Sequence, residues 1–193
     1  MKKATHTHKI EVKLREVSQL FNSMDPSPFN EKDLDRNAED FIVSWAQEYP
    51  LSENVSLRIH LDQMPIDESD KSVQEAVHHY FKYRSDLTHL ELRRLFKQGR
   101  TSLFIGLSFL AVCILLVNVF LTHKDSSEVW VSILRESLTI AGWVAMWKPM
   151  QMYLYDWWPL QKREKVFIKL SKMTVEIVPS KKARTSTNTP PSQ

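Results

Sequence analysis

Thr101–Leu121 reads TSLFIGLSFLAVCILLVNVFL, a run without one charged side chain. A helix rises about 1.5 Å per residue, so this run spans roughly 30 Å, the thickness of a bilayer's hydrocarbon core. Arg93, Arg94, Lys97 and Arg100 crowd one end of it. Trp130–Trp147 forms a second apolar run, interrupted by Arg135 and Glu136. Between the two, His123–Val129 carries one basic residue, Lys124, against Asp125 and Glu128. Lys and Arg at Arg93–Arg100 and Lys148–Lys165 far outnumber those in that loop, and the positive-inside rule then puts both chain ends in the cytoplasm. The pattern predicts a transmembrane hairpin. Trp143, Trp147, Tyr153, Tyr155, Trp157 and Trp158 supply a cytoplasmic aromatic belt, with Trp130 at the other interface.

At 193 residues the chain has room for one modest domain beside such a hairpin. Its net charge of +3 is small, and the basic residues concentrate beside the first apolar run and in the last third. Only three glycines occur, Gly99, Gly106 and Gly142, which favours long helices over tight turns. The single cysteine, Cys113, falls within the first run, so no disulfide framework can form inside one chain. The N-terminal MKKATHTHKIEV is basic without an apolar core, which is not the pattern of a signal peptide.

Lys9–Arg15 alternates, with Ile10, Val12 and Leu14 on one face and charges on the other, predicting a half-buried strand. Val17, Leu20, Phe21 and Met24 have the spacing of a short amphipathic helix, ended by Asp25-Pro26-Ser27-Pro28. Asp33 or Asp35 can cap a helix with the stripe Ala38, Phe41, Ile42, Trp45, Ala46 and Tyr49. Val55, Leu57, Ile59 and Leu61 alternate in a second strand, and the intervening helices point to a right-handed crossover and a parallel pair. Met173, Val175 and Ile177 alternate in a third, expected to return and complete the sheet. A helix capped within Asp67–Asp70 is expected to start near Ser69 and run as a stalk into the membrane, with Gly99 its likeliest bend. Leu160–Lys172 mixes apolar and basic residues as an interfacial helix lying against anionic lipid would. Pro179–Gln193 has the composition of a disordered tail.

The expected architecture is therefore an α+β membrane protein with about three strands. Residues 1–68 form a cytoplasmic α/β domain, 69–100 the stalk, 101–121 the first transmembrane helix and 122–129 a periplasmic loop. Residues 130–148 form the second transmembrane helix, 149–178 the interfacial helix with the returning strand, and 179–193 the tail.

Chemistry-bearing motifs are sparse. His78 and His79 are adjacent rather than four apart, and no H-E-x-x-H occurs. His6 and His8 share the parity of Ile10 whereas His60 has the outward parity, so they should face opposite sides of the sheet. No metal site is expected. The acidic group Glu31, Asp33, Asp35, Glu39 and Asp40 suits a helix N-terminus. There is no phosphate-cradling glycine loop, G-x-S-x-G or kinase set, so neither a cofactor nor a catalytic residue is expected. Basic and aromatic residues adjoin at Tyr153–Lys172, but directly after a span they fit a membrane interface better than nucleic acid. Arg135 and Glu136 are functional candidates because ionisable groups within a span are costly. They could anchor at the interface, fix packing, or line an ion path. Gly106 with Ser102, and Gly142 beside Ser137, Ala141 and Ala145, offer close helix packing within one hairpin or between copies. Asp156, between Tyr155 and Trp157–Trp158, could accept from the indoles or pair with Lys148 or Arg163.

Taken together, LFNSMDPSPF (Leu20–Phe29), DLDRNAEDFIVSWAQEYP (Asp33–Pro50), ELRRLFKQGRTSLFIGLSFLA (Glu91–Ala111) and RESLTIAGWVAMWKPM with YLYDWWP (Arg135–Pro159) make the chain resemble a family of uncharacterised bacterial two-span inner-membrane proteins. Tyr155-Asp156-Trp157-Trp158-Pro159 is the most distinctive piece. The resemblance implies a bacterial inner-membrane location and brings no activity with it. The expected function is that of a membrane-anchored interaction or regulatory domain, not an enzyme, with the lipid bilayer, its anionic lipids, an unknown protein or a second copy as partners. The alternative is an oligomeric channel or transport component with a path near Arg135 and Glu136.

Overall fold

The computed structural model of the protein describes residues 7–63, 70–121 and 129–180. The elements, in chain order, are β1 (Thr7–Leu14), α1 (Arg36–Glu48), β2 (Asn54–Leu61), α2 (Asp70–Leu116), α3 (Val129–Gln151), α4 (Trp157–Leu170) and β3 (Thr174–Pro179). They divide into two compact units. The first comprises the residues up to Leu87 and those from Lys162 onward, and the second is Thr88–Gln161.

The first unit is a parallel three-stranded sheet in the order β1-β2-β3, with helices. Ile10 lies opposite Leu57 and Leu57 opposite Val175, and one step on Val12, Ile59 and Ile177 line up. Side chains alternate between faces with a period of two, so this register places Ile10, Val12, Leu57, Ile59, Val175 and Ile177 on one face, with Val178 opposite His60 on the other. Each crossover moves one strand in the same direction, and right-handed crossovers of that kind set their helices on a single face of the sheet. The core has that composition. Ile42 and Ala46 of α1, Val73, Val77 and Phe81 of α2, and Val166, Phe167 and Leu170 of α4 join Ile10, Leu57, Ile59 and Leu61. The Phe81 and Phe167 rings stack with centroids 6.3 Å apart.

The other face is charged. Arg58 meets Glu176 at 2.8 Å across β2 and β3, and His60 lies 3.6 Å from Glu11. Parallel sheets are usually covered on both sides. The alternation of Lys9, Glu11 and Lys13 with Ile10, Val12 and Leu14 leaves no apolar residue in β1 for a second layer.

Several local expectations are corrected. Val17–Met24 makes one 3-10 turn, Val17–Leu20, after which Phe21 is extended and bridges Leu34. The Asn22 carboxamide accepts from Met24 N, and Asn22 N donates to Asp33 O, so local polar contacts compete with the helix. Val17, Leu20 and Phe21 still reach the core, whereas Met24 is exposed. Asp35 caps α1 by accepting from Asn37 N at 2.9 Å. The buried stripe of α1 runs through Glu39, Ile42 and Ala46, with Phe41 and Trp45 partly exposed. α2 passes through Gly99 as one uninterrupted helix, and its residues up to Leu87 belong to the sheet's unit. The basic helix is corrected too. The apolar side of α4 at Val166, Phe167 and Leu170 is fully buried in the protein core, so it is not a face free to enter lipid. Expectations for His6, the caps at 67–69, most of the 122–129 loop and the tail beyond residue 180 lie outside the described residues.

Two outcomes follow from the sheet. In the folded protein the amides of Glu176 and Val178, which share the parity of the Ser180 N–H bonded to the Leu61 carbonyl, exchange slowly with deuterium; rapid exchange there would remove β3 from the sheet. The Arg58 guanidinium bonds the Glu176 carboxylate and holds its pKa below the usual glutamate value. A lowered acid stabilises the fold above its unfolded pKa, near about 4.3, and loses that effect as pH falls through the folded value. Glu176→Gln therefore melts lower than wild type at pH 7, and the two melting curves converge as pH falls below the folded-state pKa.

Candidate functional site

The second unit pairs the latter part of α2 with α3. A Cβ built on Gly106 would stand 3.0 Å from the Ala145 carbonyl oxygen and 3.2 Å from Met146 Sδ. One built on Gly142 would stand 2.7 Å from Leu110 Cδ1 and 3.6 Å from Cys113 Cβ. Gly99 faces the Tyr153 ring at 3.4 Å. Rising numbers on α2 meet falling numbers on the return, so the two helices run antiparallel. Small residues at these points let the backbones approach closely. The contact is between two helices of one chain.

Pro149 sits inside α3 and has no N–H to give the carbonyl four residues earlier, that of Ala145. This is the oxygen that Gly106 faces, with only a hydrogen on the glycine α-carbon between them. Such Cα–H···O contacts recur where helices pack closely. Three residues after the proline the helix widens into a π turn, Met152–Asp156, which carries Tyr153 beside Gly99 and Phe96. A wide turn leaves carbonyls short of partners. The Trp157 indole donates to the Tyr153 carbonyl at 2.9 Å.

Outward, the pair is apolar and open. Phe104 leaves 73% of its surface exposed, Trp143 70% and Trp147 71%. Only 11% of each apolar window is buried, whereas a helix serving as a soluble core is mostly covered. Among the described residues, two helices are long and apolar enough to cross a membrane.

Of the residues singled out in the sequence, Gly106 and Gly142 come together in this seam. Arg135 is half-buried, and its carbonyl accepts from Thr139 Oγ1 at 2.9 Å. Glu136 is exposed. Asp156 is half-buried and Trp158 exposed. The expected indole bond to Asp156 is replaced by the Trp157 bond to Tyr153, one turn back along the helix. The sequence reading overlooked Pro149 and the Ala145 carbonyl it leaves unbonded; a proline two residues past the second apolar run was the available signal.

It also overlooked a polar knot in the first unit. Glu39, 8% exposed, accepts from Tyr80 Oη at 2.7 Å and Arg84 Nε at 2.9 Å. Burial and the Glu39 bond hold the Tyr80 phenol well above its usual pKa. Beside it a cleft of about 260 Å³ is lined by Asp25, Glu31, Asp33 and His79 among others. Burial, with Asp25 nearby, raises the Asp33 carboxyl. Asp25 is taken up by the backbone N–H groups of Ser27 and Asp33. Among the described residues no three His, Cys, Asp or Glu are placed to hold a metal.

A larger cleft, about 470 Å³, opens at the amino ends of the strands among Glu53, Lys165, Lys169 and Lys172. Lys169 Nζ donates to Pro50 O at 3.0 Å, and burial lowers its ammonium pKa. Open α/β sheets bind ligands at the carboxyl ends of their strands, the opposite edge.

Comparison with family descriptions, curated proteins and solved structures finds no match to this chain.

The two seam glycines should differ in tolerance. At Gly142 the closest atom is a leucine methyl that can rotate away, while at Gly106 it is backbone oxygen. Gly142→Ala is expected to change stability by less than about 1 kcal/mol, and Gly106→Ala to lose about 1–3 kcal/mol through overpacking. Unfolding of the two variants in mild detergent measures the difference. Equal losses would contradict this account of the seam.

Proposed function

We propose that the chain is a two-span anchor of a bacterial inner membrane that holds a small α/β domain at the cytoplasmic surface as an interaction or regulatory module. The observation that carries this reading is the helix pair of the second unit. Its inner seam is closed by glycine while outward apolar side chains of its two uncharged stretches, Phe104, Trp143 and Trp147 among them, are uncovered. In water such a surface would be a large exposed patch, whereas in lipid it is the solvent-matched face. The basic residues at Arg93–Arg100 and after Lys148 support cytoplasmic termini. The sequence resemblance to two-span inner-membrane proteins points the same way.

In this reading the domain acts by presentation. Its charged sheet face, with Arg58, Glu176, Glu11 and His60, is the surface offered to a protein partner or a second copy. Charge complementarity would then set specificity and on-rate more than affinity. Arg135, Glu136, Asp156, Trp157 and Trp158 belong to the anchor and its interfaces rather than to a reaction centre.

Alkaline extraction of membranes from expressing cells, followed by native mass spectrometry of the intact protein in nanodiscs, tests the proposal. The protein is expected to remain with the alkali-washed membranes and to run as a monomer or dimer. Release by alkali would end the anchor reading. A closed ring of four or more copies would favour the channel with a path at Arg135 and Glu136, since two to four spans enclose no aqueous route.

A further inference from the structure

We propose that Arg93, Lys97 and Arg100 of α2, closed off by Tyr153, form a binding site for the headgroup of an anionic phospholipid. This rests on the membrane reading above and adds to it a defined lipid site.

The three cations are spaced i, i+4 and i+7, which places them on one stripe of the helix. With Phe96 and Tyr153 they line a cleft of about 550 Å³ within the second unit. Tyr153 is set there by the π turn, its ring against Gly99 and its centroid 6.2 Å from that of Phe96. All three cationic side chains are exposed, and among the described residues none has an ion pair. Like charges at i, i+4 repel, so the helix carries an uncompensated positive stripe. A phosphodiester offers the complement, and guanidinium groups recognise its oxygens through paired N–H donors.

The same stripe decides which phosphate fits. Phe104 follows Arg100 by four residues, so it continues the line, and it leaves 73% of its surface exposed. Leu107, three residues further, is half exposed on the same line. Cations therefore give way to apolar side chains along one helix face, starting where the uncharged run begins at Thr101. A soluble phosphate uses only the upper half of this surface. A phospholipid uses both, with its headgroup at the cations and an acyl chain along Phe104 and Leu107. The Tyr153 ring, apolar in body and polar at its hydroxyl, suits the level between them. Basic pockets between spans on the cytoplasmic side bind anionic headgroups through this combination.

The test uses the full chain in nanodiscs of mixed phosphatidylcholine and phosphatidylglycerol, with retained lipid read by native mass spectrometry after mild release. Wild type is expected to retain phosphatidylglycerol in preference by about tenfold. R93Q/K97Q/R100Q should lose that preference. K9Q/K13Q/K71Q, which removes the same charge from the other unit, should keep it. Retained preference in the first variant, or equal loss in both, would overturn the site. Displacement of the lipid by millimolar glycerol phosphate would overturn it in favour of a soluble phosphoester. Should the triple variant fail to enter nanodiscs, K97Q alone must weaken the preference severalfold, and no change would count against the site. Failure of wild type to enter any nanodisc would instead refute the membrane reading, and the lipid site with it.

Discussion

The parallel pairing of β2 with β3 is the constraint on which the first unit depends. Leu57 and Ile59 lie on the central strand, in register with β1 on one side and with β3 on the other. A two-stranded sheet is marginal on its own, and the third strand arrives only after roughly 110 further residues. Those residues include both long apolar helices. The register then fixes everything else in the unit, because a slip of one residue would turn Val175 and Ile177 toward the charged face and Glu176 toward the core. The Arg58–Glu176 pair marks the correct register from the solvent side, and the buried Phe81 and Phe167 rings mark it from the other.

A different device organises the second unit. There close packing at glycine brings the two helices together. Here the proline that removes a hydrogen bond from α3 lies one turn beyond the carbonyl opposed by a glycine on α2. The loosened backbone continues into the π turn, and that turn delivers Tyr153 to Gly99. Two of the three glycines in the protein thus take part in one structural sequence. The third, Gly142, has a leucine methyl as its nearest neighbour and is the more replaceable.

Much of this was readable from residues. Strict alternation identified all three strands, since charges at every second position leave little other choice for Lys9–Arg15. The long uncharged run and its basic flank were equally plain. What failed was the destination of amphipathic faces. Val166, Phe167 and Leu170 beside lysines read equally well as a surface for lipid or for protein, and only the tertiary fold selects the core. Phe41 and Trp45 were assigned to the α1 core by spacing, yet Glu39 took the buried position because Tyr80 and Arg84, distant in sequence, satisfy its carboxylate. A partner some forty residues away leaves no local trace. The π turn was hidden for a similar reason, because its widened geometry depends on a proline, a glycine and an indole on different segments.

The late arrival of β3 also has a consequence during synthesis. At the usual pace of about 5–20 residues per second, β2 waits roughly 5–20 s after emerging before its second neighbour is made. Throughout that interval one row of backbone donors and acceptors along Leu57 and Ile59 is open, and an open strand edge is a template for pairing with a neighbouring nascent chain. Two ribosomes following each other on one message would bring such edges close together. The order of elements therefore makes the timing of translation, and any chaperone that shields β2, part of how this sheet reaches its native pairing.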